Sequence, residues 1–130
     1  MVDTAIKRES RAGHRRSRGM KGGVVIHRGT MVVLAAGLAQ MATKAANLVT
    51  IGVADESVDN SNGGDLAKSV EVERRIFVMK NDATNPVTAA HIGSDCYIED
   101  NETVTSDGTG SSVAGRVFDV DARGVSVEFL

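Results

Sequence analysis

A chain of 130 residues is the length of one domain and can bury roughly two-thirds of its unfolded surface, enough for one hydrophobic core. With no Trp, one Tyr and three Phe, that core has to be built from Val, Ile, Leu, Met and Ala, and abundant β-branched valine favours strands. No run of about 18 apolar residues exists, which excludes a membrane-spanning helix; a single cysteine, Cys96, excludes an intrachain disulfide and fits a reducing cytoplasm.

The charge is unevenly placed. Residues 1–28 hold eight Lys/Arg against two acids, a net +6, while the remainder holds seven against fifteen, a net −8. A basic leader on an acidic body is an interaction layout. "KRESRAGHRRSRGMKGG" (7–23) concentrates the cations and contains almost nothing that could make a core. It could be an arm for nucleic acid, the front of a secretion signal, or a strap onto another protein. The signal reading fits poorly. "MVVLAAGLAQMA" imitates an apolar segment with a small-residue cleavage site, but the basic region before it is about 30 residues long, contains acids and is interrupted by Val24–Ile26.

In chain order, residues 1–23 read as an extended or irregular arm. They hold four glycines and little apolar periodicity, and so cannot bury enough surface to fold alone. From Val24 the pattern is β. "VVIH" and "MVVL" are short strands separated by "RGT", with Gly29 in the turn. Leu34, Leu38, Met41 and Ala45 then recur at helical spacing, so pattern alone suggests a short helix over 35–46. "LVTIGVA" alternates, with Val49, Ile51 and Val53 on one face. "DESVDNSNGGD" (55–65) has the composition of a solvated loop.

"SVEVERRIFVM" (69–79) is the longest strand candidate. Val70, Val72, Ile76 and Val78 share a face, with Arg74 as the exception. Pro86 breaks the chain, and "TAAHIG" reads as one helical turn, capped by Thr88 and ended by Gly93. "DCYI" and "ETVT" are short strands and "SDGTGSS" is a turn. "VAGRVFDV–DARG–VSVEF" is the clearest hairpin, with Val125, Val127 and Phe129 facing in. About eight short strands joined by glycine-rich turns give an all-β fold, a small β-barrel or β-sandwich (24–130) behind an extended N-terminal arm (1–23).

Reactive chemistry finds little support. His91, Asp95 and Cys96 fall within six residues, but a capped turn followed by a buried strand cysteine explains them better than a nucleophile and its base. His14, His27, His91 and Cys96 lack metal-ligand spacing. The 55–65 loop lacks the alternating acids and closing Glu of a calcium loop. "SDGTGSS" lacks the Lys-Ser/Thr ending of a phosphate-binding loop. The basic leader remains: Lys7, Arg8, Arg11, Arg15, Arg16, Arg18 and Lys21. A nucleic-acid arm is the alternative reading, since these cations could neutralise several phosphates. No aromatic residue accompanies them to stack a base, and the body at −8 repels phosphate. A strap on an acidic protein surface fits better, because Arg makes bidentate carboxylate contacts.

The segments "GTMVVLAAGLAQMA", "IGVADESVDNSNGGD", "VEVERRIFVMKN", "VTAAHIGSDCYIEDNETVT" and "VAGRVFDVDARGVSVEF", in this order and spacing, resemble the capsid decoration, or head cement, proteins of tailed bacteriophages over residues 24–130. The resemblance implies a β-tulip-like body without enzymatic activity or cofactor. It replaces the helix over 35–46 with β-turns and short strands. It implies the major capsid protein as partner on the outer surface of the virion, together with copies of itself as a homotrimer or, alternatively, a dimer. No direct nucleic-acid or membrane contact is implied, and synthesis would be in the host cytoplasm. The basic leader is longer than the resemblance requires, so its seven cations are assigned to partner binding from charge alone.

Overall fold

The structure is a computed structural model that describes residues 15–129. It is nearly all β. The strands are β1 (Arg15–Gly19), β2 (Val25–Ile26), β3 (Met31–Ala35), β4 (Leu38–Met41), β5 (Val49–Ala54) and β6 (Val58–Asp59). They are followed by β7 (Ser69–Glu73), β8 (Ile76–Asn81), β9 (Asp95–Ile98), β10 (Thr103–Thr105), β11 (Val113–Asp121) and β12 (Gly124–Glu128). One 3-10 turn, Ala89–His91, precedes β9.

The strands form two larger units. A five-stranded sheet has the order β1-β7-β5-β3-β4, and a closed barrel has the order β10-β8-β12-β11-β9; β2 and β6 pair separately. The open sheet rolls until its edges nearly meet: Met20 bridges Ala39 of β4, and the Lys21 amide donates to the Ala39 carbonyl at 3.0 Å. Its concave side holds one core of Met20, Ile26, Val32, Ala39, Val70 and Val72. The barrel holds the other, with Cys96, Ile98, Val104, Val117, Val125 and Val127 fully or almost fully buried. The strand β3 serves both. Val32 points into the first core and Met31 and Val33 into the second, as the two-residue period of a strand requires. A strand covered on both faces reads as an unbroken apolar run, which is what "MVVL" is.

Four expectations from sequence are corrected. The helix that spacing alone suggests over 35–46 is absent; the segment begins with the turn and second strand of the β3–β4 hairpin, the β-turns and short strands that the resemblance implies, and the turn residues Ala36 (φ 49°) and Gly37 (φ 83°) both have positive φ. That pair suits a tight two-residue hairpin loop and cannot sit in a helix. The single strand over 69–79 is two strands in different units, separated at Arg74–Arg75. The break changes parity: Val70 and Val72 are buried, whereas Ile76 and Val78 are exposed and Met79 is buried instead. Arg74, the misfit of the alternation, marks the crossing.

In β5, Gly52 (φ 138°) lies beside a register shift against β3, so Val53 joins the barrel core while Ile51 packs on the other. Finally, the expected arm over 1–23 is, in its described part, built into the body. The strand β1 pairs with β7 from Arg15↔Glu73 to Gly19↔Ser69, and Met20 is completely buried. The composition of 15–19 supplies no core, but an edge strand needs only backbone pairing on one side, and Met20 anchors its end.

Aspartates organise several turns. Asp82 accepts from the amides of Thr84 and Asn85 and from the Thr105 hydroxyl; Asp107 and Asp121 accept from the amides of Thr109 and Arg123. These bonds, led by the Thr84, Thr109 and Arg123 amides, hold the three carboxyls below the ordinary carboxylate value. A depressed folded-state pKa contributes stability above the unfolded value, about 3.9 for Asp, and loses it as pH falls through the folded value. The thermal midpoint, followed by circular dichroism, is expected to fall below about pH 4, with Asp82→Asn flattening that fall.

Candidate interaction surface

The basic strand β1 does not present its cations as one patch. In an antiparallel pair, residues directly opposite share a face. Arg15 and Ser17 lie opposite Glu73 and Glu71, and Arg16 and Arg18 opposite Val72 and Val70. Arg15 thus stands on the acidic face, where its guanidinium pairs with Asp55 at 3.2 Å. An exposed pair of this kind contributes about 0–1 kcal/mol. Arg16 and Arg18 are half-buried on the core side of the sheet edge, a placement that covers apolar surface with the stems and leaves the heads to solvent. Lys21 is exposed. Lys7, Arg8 and Arg11 lie outside the described residues.

The loop over 55–65 is more than a solvated turn. With the residues that follow, it clasps the start of the body. Asp65 accepts from the Gly22 amide at 2.8 Å, and the buried Asn60 side-chain amide donates to the Lys21 and Gly64 carbonyls. Met20 is held on both sides, its amide by the Lys68 carbonyl and its carbonyl by the Leu66 amide. Asn60 Oδ1 is buried without a hydrogen bond, against Gly63, where a β-carbon would collide with it.

The His91–Cys96 neighbourhood resolves into two separate roles. The ring Nδ1 of His91 accepts the Thr88 amide at 2.9 Å and closes the short turn. Cys96 is fully buried in the barrel, its thiol toward the Gly115 carbonyl at 3.5 Å, and burial pushes its pKa up to about 12. A thiol so placed has almost no thiolate at neutral pH. Cys96 is therefore expected to resist an aromatic disulfide reagent at pH 8 in the folded protein and to react fully once urea unfolds it. Rapid labelling of folded protein would contradict that placement. Among the described residues no three His, Cys, Asp or Glu side chains come together as a metal site.

A cleft of about 440 Å³ runs between the start of β5 and the start of β11. Its apolar lining includes the exposed Val49 and Val113 together with Leu48, Ile51 and Phe129, and Arg74, Asp95, Arg116 and Glu128 also line it; the Thr50 hydroxyl donates to the Val113 carbonyl at 2.7 Å. Nearby Phe118 is 56% exposed, one of only three phenylalanines in the chain. Sequence reasoning missed it because alternation from Val113 does not reveal the register shift that carries Val117↔Val127 to Asp119↔Ser126. Phe118 is the extra residue of that bulge. The available signal was the three-residue spacing of Ala114, Val117 and Val120, all turned to the barrel core, which strict two-residue alternation does not allow.

Comparison with protein families, with curated proteins and with solved structures finds no match for this chain.

Proposed function

We propose that this chain is a structural decoration protein of a tailed-bacteriophage head. It binds the outer surface of the shell, bridges subunits of the major capsid protein and stabilises the assembled state. The observation that carries the reading is the ordered set of segments over 24–130 that resembles the cement proteins. The charge division, +6 against −8, and a body made only of short strands and turns support it. The chain acts as a clamp without enzymatic activity or cofactor. Binding only the assembled shell favours that shell over free subunits by mass action, and several modest contacts per particle combine through avidity. Its partners are the major capsid protein and copies of itself, as the trimer of the resemblance or a dimer. It makes no direct contact with nucleic acid or membrane. It is made in the host cytoplasm and resides on the virion.

Of the seven cations assigned to partner binding, Lys7, Arg8, Arg11, Arg16, Arg18 and Lys21 reach for carboxylates of the shell, while Arg15 holds Asp55 of its own body. The test is add-back to heads lacking the protein. Purified chain is expected to bind expanded heads and not unassembled capsid protein, and to delay heat-induced release of DNA. Equal DNA release with and without it, or no binding to expanded heads, sinks the reading. The leader is tested by removing residues 1–14, not 1–23, because the longer deletion also removes β1 and Met20. Salt-sensitive DNA binding that disappears with residues 1–14 would replace the capsid reading with the nucleic-acid one.

A further inference from the structure

The outer wall of the barrel carries a second surface, on strands that do not pair with the described basic strand β1. Across neighbouring strands, Asp95 of β9 stands opposite Arg116 of β11, Arg116 opposite Glu128 of β12, and Glu128 opposite Ile76 of β8. Opposite charges therefore sit side by side, yet among the described residues Arg116 makes no ion pair within 4.0 Å. Its Nε donates instead to the Gly93 carbonyl at 2.9 Å, which fixes the guanidinium plane and leaves the terminal nitrogens to be satisfied from outside. Around this charged row are exposed apolar side chains: Phe118, thrown outward by the bulge, Ile92 beside Gly93, and Ile76 and Val78 on β8. The row from β11 to β8 spans about 10 Å at the ordinary strand spacing. Bulges re-aim side chains, and an exposed aromatic with aliphatic neighbours beside an Arg that has no ion pair among the described residues matches the residue types enriched at interfaces.

We propose that this wall is the self-association face and that its occupant is a second copy of the chain, related by a two-fold axis. The charge arrangement selects that partner. A two-fold rotation about a point between Arg116 and Glu128 sets the Arg116 of one copy against the Glu128 of the other, twice, and brings the two Phe118 side chains into the same contact. Such an isologous face needs only one patch, whereas a three-fold contact needs two different ones. Phosphate backbones and anionic lipid headgroups fit less well, because the three acids Asp95, Asp119 and Glu128 outnumber Arg116 and the neighbouring Arg74. The inference rests on this wall alone and not on the capsid reading, so either can fail without the other.

Sedimentation equilibrium of the full chain from about 1 to about 200 µM tests it. The wild type is expected to be a monomer–dimer system. Phe118→Asp, and independently Val78→Lys on the adjacent strand, are expected to raise the dimer dissociation constant at least about tenfold. Both residues are exposed, so thermal unfolding of each variant should match wild type; one that unfolds is set aside and the other decides. Arg116→Glu alone is expected to weaken the dimer, and Arg116→Glu with Glu128→Arg to restore it, since exchanging both charges recreates each cross-pair. A wild type that is monomeric throughout or trimeric, a dimer indifferent to the apolar variants, or a double exchange no better than the single one overturns the proposal.

Discussion

Gly124→Ala is expected to destabilise the fold by about 3 kcal/mol or more, a large share of the roughly 5–15 kcal/mol that holds a domain together. Gly124 opens β12 with φ 136°, a region that is essentially glycine-only. A β-carbon there would collide with the Met79 carbonyl oxygen on the neighbouring strand β8. Val125 pairs directly with Met79, so the clash falls where β12 enters the barrel. Neither partner can give way cheaply: Met79 is buried and Val125 is fully buried. Strain in the backbone and steric overlap therefore add. Gly110→Ala is the control. It also has positive φ (68°), but its β-carbon would meet open space, so only the left-handed penalty of about 1–2 kcal/mol applies. Urea unfolding followed by circular dichroism measures both. If the two variants lose the same stability, the tight passage of β12 past β8 is not what fixes glycine at 124.

The contrast between the two glycines is also the contrast between what was and was not legible in sequence. The terminal hairpin was readable because alternation and turn chemistry agree: Val125, Val127 and Phe129 are buried, and Asp121 closes the turn on the Arg123 amide. The all-β class followed from valine and glycine content. What escaped were parity changes with tertiary causes. In "VERRIF" the misfit Arg74 marks a break in the alternation, but nothing local says that the chain leaves one unit at Glu73 and joins another at Ile76. In "RVFDV" the three-residue spacing of Val117 and Val120 signals a break in alternation, but which residue is surplus depends on the pairing with β12. Gly52 was visible as a glycine, but its close approach to the Glu73 carbonyl oxygen, which a β-carbon would meet at 2.5 Å, exists only once β7 lies beside β5.

The candidate site divides along the same line. Charge was legible as composition, so the cations of 15–21 could be picked out. Their partition between two faces was not, because it depends on β1 pairing with β7 rather than standing free. "RRSRG" has no apolar alternation to announce a strand; its pairing is fixed by Met20 beyond one end and by the Arg15–Asp55 contact at the other. Glycine has a complementary role at this junction. Gly19 leaves room for Leu66, whose side chain would collide with a β-carbon there, and Leu66 in turn holds the Met20 carbonyl. The acidic loop and residues 19–22, read separately as an exposed turn and part of an extended arm, are thus two halves of one fastening.

Met20→Ala is the second substitution expected to have a large effect, about 2–5 kcal/mol. Met20 is completely buried in the rolled-sheet core, and truncation removes its contacts while leaving a void that neighbouring strands refill only in part. The site cannot collapse easily, because the Met20 backbone is pinned by Lys68 and Leu66 and bridged to Ala39. The loss should therefore appear first at the seam between β1 and β4. Hydrogen exchange at the Lys21 amide, bonded to Ala39, is expected to accelerate more than exchange at Val125 or Val127 in the barrel. Two truncations make the same point without a cavity. Removing residues 1–14 keeps every contact described above. Removing 1–23 takes away the five β1–β7 pairs and Met20 together, exposing the apolar faces of Val70 and Val72. If the protein lacking 1–23 unfolds at the same urea concentration as the protein lacking 1–14, β1 is an appendage after all and the seam contributes nothing to the fold.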